Sequence, residues 1–207
     1  MLVRVGIDFD NTIVSYDSLF HRVAVEQGLV SADTPRTKVA VRNRLRAIGW
    51  EDRWTELQGY VYGARMQEAE PYPGVLEFLR WACAERLPVS IISHKTKFPF
   101  AGPKYDLHEA ARQWVKSRLR DRANHLIPTE AVFFELAIEK KLERIRTWGA
   151  TAFVDDLPEI LRANDFPSEI EGILFDPDNH HEDWPLLRAR SWEDVRHLVE
   201  QRWRMSH

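Results

Sequence analysis

Short apolar runs alternating with helical patterns constrain this chain more than any other feature. Five runs read as strands: Val3 to Phe9, Val89 to Ser93, Ala131 to Phe134, Ala152 to Asp155 and Gly172 to Phe175. Helix-period stretches separate them, and that alternation specifies an α/β fold, a parallel sheet wrapped by helices. After Pro73, the residues Val75, Leu76, Phe78, Leu79 and Ala82 line one helix face. Asp106 is placed to cap a helix whose apolar side carries Ala110, Trp114, Val115 and Leu119. Ile138, Leu142 and Ile145 keep the three-to-four spacing, and Gly149 offers a stop. Ser191 opens a last helix with Val195, Leu198 and Val199 inward.

The first gap breaks the rhythm. About 80 residues lie between the first two strands, where a parallel crossover needs only a dozen or more. Residues 16–70 therefore read as a small helical cap inserted into a core formed by residues 1–15 and 71–207. Within the insertion, Thr34 and Pro35 suit the cap and first turn of a helix carrying Val41, Leu45 and Ile48, and Gly49 ends it. Pro71-Tyr72-Pro73-Gly74 marks a stiff re-entry into the core.

A chain of 207 residues that is 44% hydrophobic, with a net charge of -3, can bury a real core and is not disordered. The balanced charge argues against a dedicated nucleic-acid binder. Cys83 is the single cysteine, which excludes an internal disulfide and a multi-cysteine zinc site. No apolar run approaches the roughly 20 residues of a membrane span, and no basic segment leads into an apolar stretch at the start. A soluble cytoplasmic protein is expected. Nothing in the sequence fixes an oligomeric state.

Four places can carry chemistry. The first strand runs into Asp8-Phe9-Asp10-Asn11-Thr12. Residues two apart on a strand point the same way, so Asp8 and Asp10 start on one side of the sheet's carboxyl edge, where open α/β sheets bind ligands. Paired carboxylates need a cation or a shared proton; the same pentapeptide also reads as an ordinary turn, with Asn11 accepting a left-handed conformation. The fourth strand ends in Asp155-Asp156. Asp156, with Glu159 behind it, resembles a capping box, whereas Asp155 directly follows the apolar strand. If the first and fourth strands are neighbours, Asp155 joins Asp8 and Asp10 in a cluster of hard oxygen ligands that suits Mg²⁺. Lys141 lies near the face defined by Ile138, Leu142 and Ile145, while Lys140 points to solvent. An inward lysine needs an anion, and the acidic cluster would supply it. Ser93 ends the second strand, where a hydroxyl can bind a phosphate oxygen or simply begin a loop.

Taken together, Asp8-Phe9-Asp10-Asn11-Thr12, Ser93, Lys141 and Asp155-Asp156 resemble the four motifs of the haloacid dehalogenase-like (HAD) superfamily, over residues 1 to about 176. The resemblance implies a five-stranded Rossmann-like core and phosphoryl transfer through an aspartyl-phosphate on Asp8. It further implies Mg²⁺ held by Asp8, Asp155 and the backbone carbonyl of Asp10, with a mixed role for Asp156. Ser93 and the backbone near Asn11 would hold the phosphoryl oxygens, and Lys141 would offset developing charge. Asp10 would protonate the leaving oxygen and then take a proton from water. Dehalogenation expels a halide and needs no such acid, so Asp10 favours phosphate chemistry.

Water is the default acceptor, which makes a phosphatase of a small phosphorylated metabolite, such as a sugar phosphate, the leading reading. Its rivals are transfer to another hydroxyl through the same intermediate, action on a nucleotide or nucleic-acid end, and a silent binding module. For substrate contacts, His94 and Lys95 start the loop to Tyr105 at the rim of the site. In the insertion, Arg36, Lys38, Arg42, Arg44, Arg46 and Arg53 accompany Trp50 and Trp54, either steering an anion or forming a solvated face. The acidic run Asp176 to Asp183 reads as a surface loop.

Overall fold

The structure is a computed structural model that describes residues 3–205. In chain order its main elements are β1 (Val5–Ile7), α1 (Asp17–Glu26), α2 (Lys38–Ala47), α3 (Glu51–Tyr62), α4 (Val75–Ala84), β2 (Val89–His94), α5 (Leu107–Arg118), β3 (Val132–Glu135), α6 (Ile138–Trp148), β4 (Ala152–Asp155), α7 (Pro158–Leu161), β5 (Glu171–Phe175), β6 (Leu187–Ala189) and α8 (Trp192–Met205). They pack as two compact units. The first runs to Ile13 and takes in Pro71–Lys95 and the chain from Leu119 on; the second is Val14–Glu70 with Thr96–Arg118.

The first unit is a six-stranded, all-parallel sheet in the order β6-β5-β4-β1-β2-β3. The five expected strands are present, and β6 is a correction to that number. It was hidden because Leu187-Arg188-Ala189 is a three-residue edge strand whose first two residues are half-buried and which carries no apolar run. Reading outward from β1, the chain fills one side with β2 and β3 and the other with β4, β5 and β6. That reversal makes the carboxyl ends of β1 and β4 the switch point at which such sheets bind ligands.

Local sequence explains the flanking helices. In α6, Leu142 and Ile145 are buried on one face, and Gly149 closes the helix at φ +75°, a left-handed conformation that suits glycine. In α8, Ser191 Oγ accepts from the Asp194 N–H while Asp194 Oδ2 accepts from the Ser191 N–H, a reciprocal cap. Where the chain leaves this unit and returns, the Tyr72 N–H donates to the Ile13 carbonyl at 2.8 Å.

The second unit is helical and built on aromatic packing. Phe20 of α1 meets Trp54 and Tyr62 of α3, with ring centroids 5.1 and 5.5 Å apart. The helix expected from Thr34 and Pro35 begins later: Thr37 is the cap of α2 and accepts the Ala40 N–H. Asp17 draws the start of α2 onto α1 by accepting the Lys38 N–H at 2.8 Å. Residues 96–118, assigned from sequence to the core, pack instead with 14–70. Trp114 of α5 is fully buried there and donates its indole N–H to the Ala69 carbonyl at 2.8 Å.

Candidate active site

β1 and β4 run side by side with Ile7 opposite Val154, and the Asp8 N–H extends the ladder by donating to the Val154 carbonyl at 2.9 Å. Asp8 is thereby brought level with Asp155, the last residue of β4. Both carboxylates are buried, Asp155 completely.

From α6, Lys141 reaches the pair. Its Nζ lies 2.6 Å from Asp8 Oδ1 and 2.6 Å from Asp155 Oδ2. The spacing that buries Leu142 and Ile145 also buries Lys141, whereas Lys140 is exposed and bonds Glu143 at 2.7 Å. Burial alone would lower the affinity of Lys141 for its proton; the charges of Asp155 and Asp8 reverse this and hold the ammonium above the usual lysine range. Burial pushes the Asp8 carboxyl up to about 7 against the pull of Lys141, and the neighbouring Asp155 charge pushes the same way. One ammonium thus leaves the carboxylates under-compensated.

Asp156 completes the cluster. One oxygen from each of Asp8, Asp155 and Asp156 lies within 4.8 Å of the others. The capping box expected of Asp156 and Glu159 does not form. Leu157 takes the cap position, and Asp155 Oδ1 accepts the Leu157 N–H at 3.0 Å. Asp156 Oδ1 instead accepts from Thr12 Oγ1 at 3.2 Å. Were all three carboxylates ionised, the one ammonium would leave two negative charges, which a single divalent cation would balance. A set of hard oxygens with that balance fits Mg²⁺.

The Asp10 carboxylate is directed elsewhere. Lys95 Nζ sits 2.7 Å from Asp10 Oδ2 and 3.0 Å from Oδ1. Lys95, expected to touch substrate, is buried and has this internal partner, while His94 is exposed. No sequence signal pairs Lys95 with Asp10, because 85 residues separate them. Asn11 takes φ +58°, the left-handed turn that its residue type permits, and the Ile13 N–H closes the turn on the Phe9 carbonyl. Thr12 is fully buried and its carbonyl accepts from Trp192 Nε1 at 3.1 Å, a link from α8 that no motif announces.

Ser93 is 1% exposed, and its hydroxyl has no hydrogen-bond partner. An orphaned buried hydroxyl is costly, and a ligand oxygen would relieve it. Among the insertion's cations, Arg46 pairs with Glu51 and Arg53 with Glu56 on exposed surface. Lys38 Nζ lies 5.7 Å from the Phe20 ring centroid, Trp54 is buried, and Trp50 is exposed. In the acidic run, Asp176 is buried and accepts from the N–H groups of His180 and His181, organising a loop. Asp8, Asp155 and Asp156 are the one carboxylate, histidine or cysteine cluster of metal-binding spacing among the described residues. Among those residues, no helix is long and apolar enough to cross a membrane.

Comparison with known proteins supplies the fold. No protein-family model matches the sequence, and no curated protein matches it. Solved structures do. A predicted phosphoglycolate phosphatase from Haemophilus somnus 129PT aligns at TM-score 0.59 and 13% identity, covering 96% of this chain and 98% of that one. A HAD family hydrolase from Deinococcus radiodurans R1 with bound phosphate and sodium aligns at TM-score 0.58 and 14% identity, covering 97% and 96%. A dehalogenase aligns at 0.55 and 15%, covering 95% and 96%. The chain has the fold of the HAD superfamily hydrolases along nearly its whole length.

Proposed function

We propose that this HAD-fold chain is a Mg²⁺-dependent phosphatase of small phosphorylated metabolites, working through an aspartyl-phosphate on Asp8. The observation that carries the reading is the Lys141 ammonium held at 2.6 Å from both Asp8 and Asp155 at the switch point of the sheet. A carboxylate meeting a phosphate dianion is repelled unless fixed positive charge stands beside it, and Lys141 supplies such charge without reorganisation. Asp8, Asp155 and Asp156, with the Asp10 carbonyl, would hold Mg²⁺. Bound there, the cation would neutralise phosphoryl charge that one lysine cannot balance.

The remaining steps fall to the chain's own groups. The orphaned Ser93 hydroxyl donates to a phosphoryl oxygen, together with backbone N–H groups of the turn at Asn11. An Asp8 carboxylate oxygen attacks phosphorus as the bond to the leaving oxygen breaks, and Asp10 gives that oxygen its proton. Water then attacks the acyl phosphate and returns a proton to Asp10. A halide leaving group would give Asp10 nothing to do, which sets this chain apart from a dehalogenase. We place the activity in the cytoplasm, in keeping with the single thiol of Cys83.

The test is phosphate release from a panel of sugar phosphates, nucleotides and phosphorylated acids with Mg²⁺. Wild-type protein is expected to release phosphate and Asp8→Asn to release none. Retained turnover in Asp8→Asn would remove Asp8 as the nucleophile.

A further inference from the structure

The contact between Lys95 and Asp10 has no place in the chemistry assigned so far. We propose that Lys95 is a positioning residue: it orients the Asp10 carboxylate toward the leaving oxygen and does not bind substrate itself. The inference rests on the phosphatase reading above.

Four observations support it. Lys95 is anchored at both ends: its backbone N–H donates to the Glu135 carbonyl at 2.8 Å, continuing the β2–β3 ladder, and its Nζ spans both oxygens of Asp10. Period-two alternation places Ser93 and Lys95 on the buried side and His94 on the exposed side, so the strand aims Lys95 inward. The Lys95 side chain is 4% exposed and that of Asp10 22%, so the clamp is covered more fully than the carboxylate it holds. The Phe9 ring lies 5.7 Å from Lys95 Nζ and packs edge-on against Phe134 of β3, which narrows the room for lysine rotamers. A carboxylate free to rotate reaches the leaving oxygen only part of the time, and general acid catalysis falls off with misplacement.

The proton balance stays within the reaction already described. The contact to both oxygens is that of the ionised Asp10. In the acid step Lys95 keeps one carboxyl oxygen while the other carries the proton, which passes to the leaving oxygen as its bond to phosphorus breaks and is replaced from the attacking water. Lys95 gains and loses nothing.

The test compares phenyl phosphate with para-nitrophenyl phosphate, which share a shape but differ in their need for an acid. With Mg²⁺ present, Lys95→Met should lower kcat on phenyl phosphate at least about tenfold more than on the nitrophenyl ester, a fraction of the roughly 10²–10⁴-fold that a general acid supplies. Inhibition by inorganic phosphate should stay within about twofold, and Lys95→Arg should recover part of the loss. Equal losses on both esters overturn the proposal, as does weakened phosphate inhibition, which would make Lys95 a substrate ligand. If Lys95→Met fails to fold because Asp10 has lost its ion pair, Asp10→Asn with Lys95→Met removes both charges. That double variant should match Asp10→Asn alone, and a further drop overturns the proposal. Wild-type protein inactive on both esters and on the metabolite panel would remove the phosphatase reading and this inference with it.

Discussion

Gly6 of β1 stands in register opposite Phe153 of β4, and a methyl group on its Cα would lie 2.6 Å from the Phe153 ring. The ring is fully buried and its centroid is 5.5 Å from Lys141 Nζ, so it forms part of the floor under that lysine. The absence of a side chain at residue 6 therefore shapes the site as well as the sheet.

Gly6→Ala is accordingly expected to cost about 1–3 kcal/mol through overpacking and to lower phosphate release by displacing Phe153 toward Lys141. Urea unfolding checks the first effect. Adding Phe153→Leu, which frees space beside residue 6, should recover part of both; no recovery would show that the strain lies elsewhere.

Lys141 holds two buried carboxylates, and its removal leaves them facing each other. Lys141→Met should lose about 3–5 kcal/mol, the scale of a broken buried ion pair, along with phosphate release. Mg²⁺ should raise its melting temperature more than that of the wild type, because the cation then replaces missing positive charge. Equal shifts in the two proteins would argue that Lys141 and the cation do not share the same carboxylates.

Thr12 acts on the cluster through Asp156, whose Oδ1 accepts its hydroxyl at 3.2 Å. Groups that orient metal ligands typically contribute 10–100-fold to affinity, and Thr12→Val keeps the shape while removing the donor. Mg²⁺ titration followed by thermal shift should show weakening of about that size. Unchanged affinity would leave Asp156 outside the metal site.

Asp176 supplies a pH dependence away from the site. Burial alone would raise its carboxyl, but the N–H groups of His181 and His180 and the Arg188 guanidinium prevail and hold it below the usual aspartate range. A folded-state value below the unfolded one means stability present above the ordinary value and lost as pH falls through the lowered one. Asp176→Asn should therefore be less stable than wild type near neutrality, and the two should converge on acidification below about pH 5. Parallel stability curves would exclude this role.

Much of the first unit was legible in the sequence because its signals are local. Helical spacing selected Lys141 over Lys140, and the apolar run ending at Asp155 marked both a strand and a member of the buried carboxylate cluster. What escaped notice depends on contacts between distant segments. Trp114 reads as an ordinary core residue of its helix, and its bond to the Ala69 carbonyl shows which unit it joins. Lys95 looks like any basic loop residue until the fold sets it beside Asp10. Asp156 and Glu159 have the spacing of a cap, but Thr12 offers Asp156 a different partner, and Asp155 takes the Leu157 N–H in its place.

The central claim is a covalent phosphoryl group on Asp8. Acid-quenched protein, sampled during turnover of a phosphomonoester with Mg²⁺ and digested for mass spectrometry, tests it most directly. The account predicts a phosphorylated peptide with the modification at Asp8, absent from Asp8→Asn. Turnover with no adduct at Asp8, or an adduct on another residue, would contradict it.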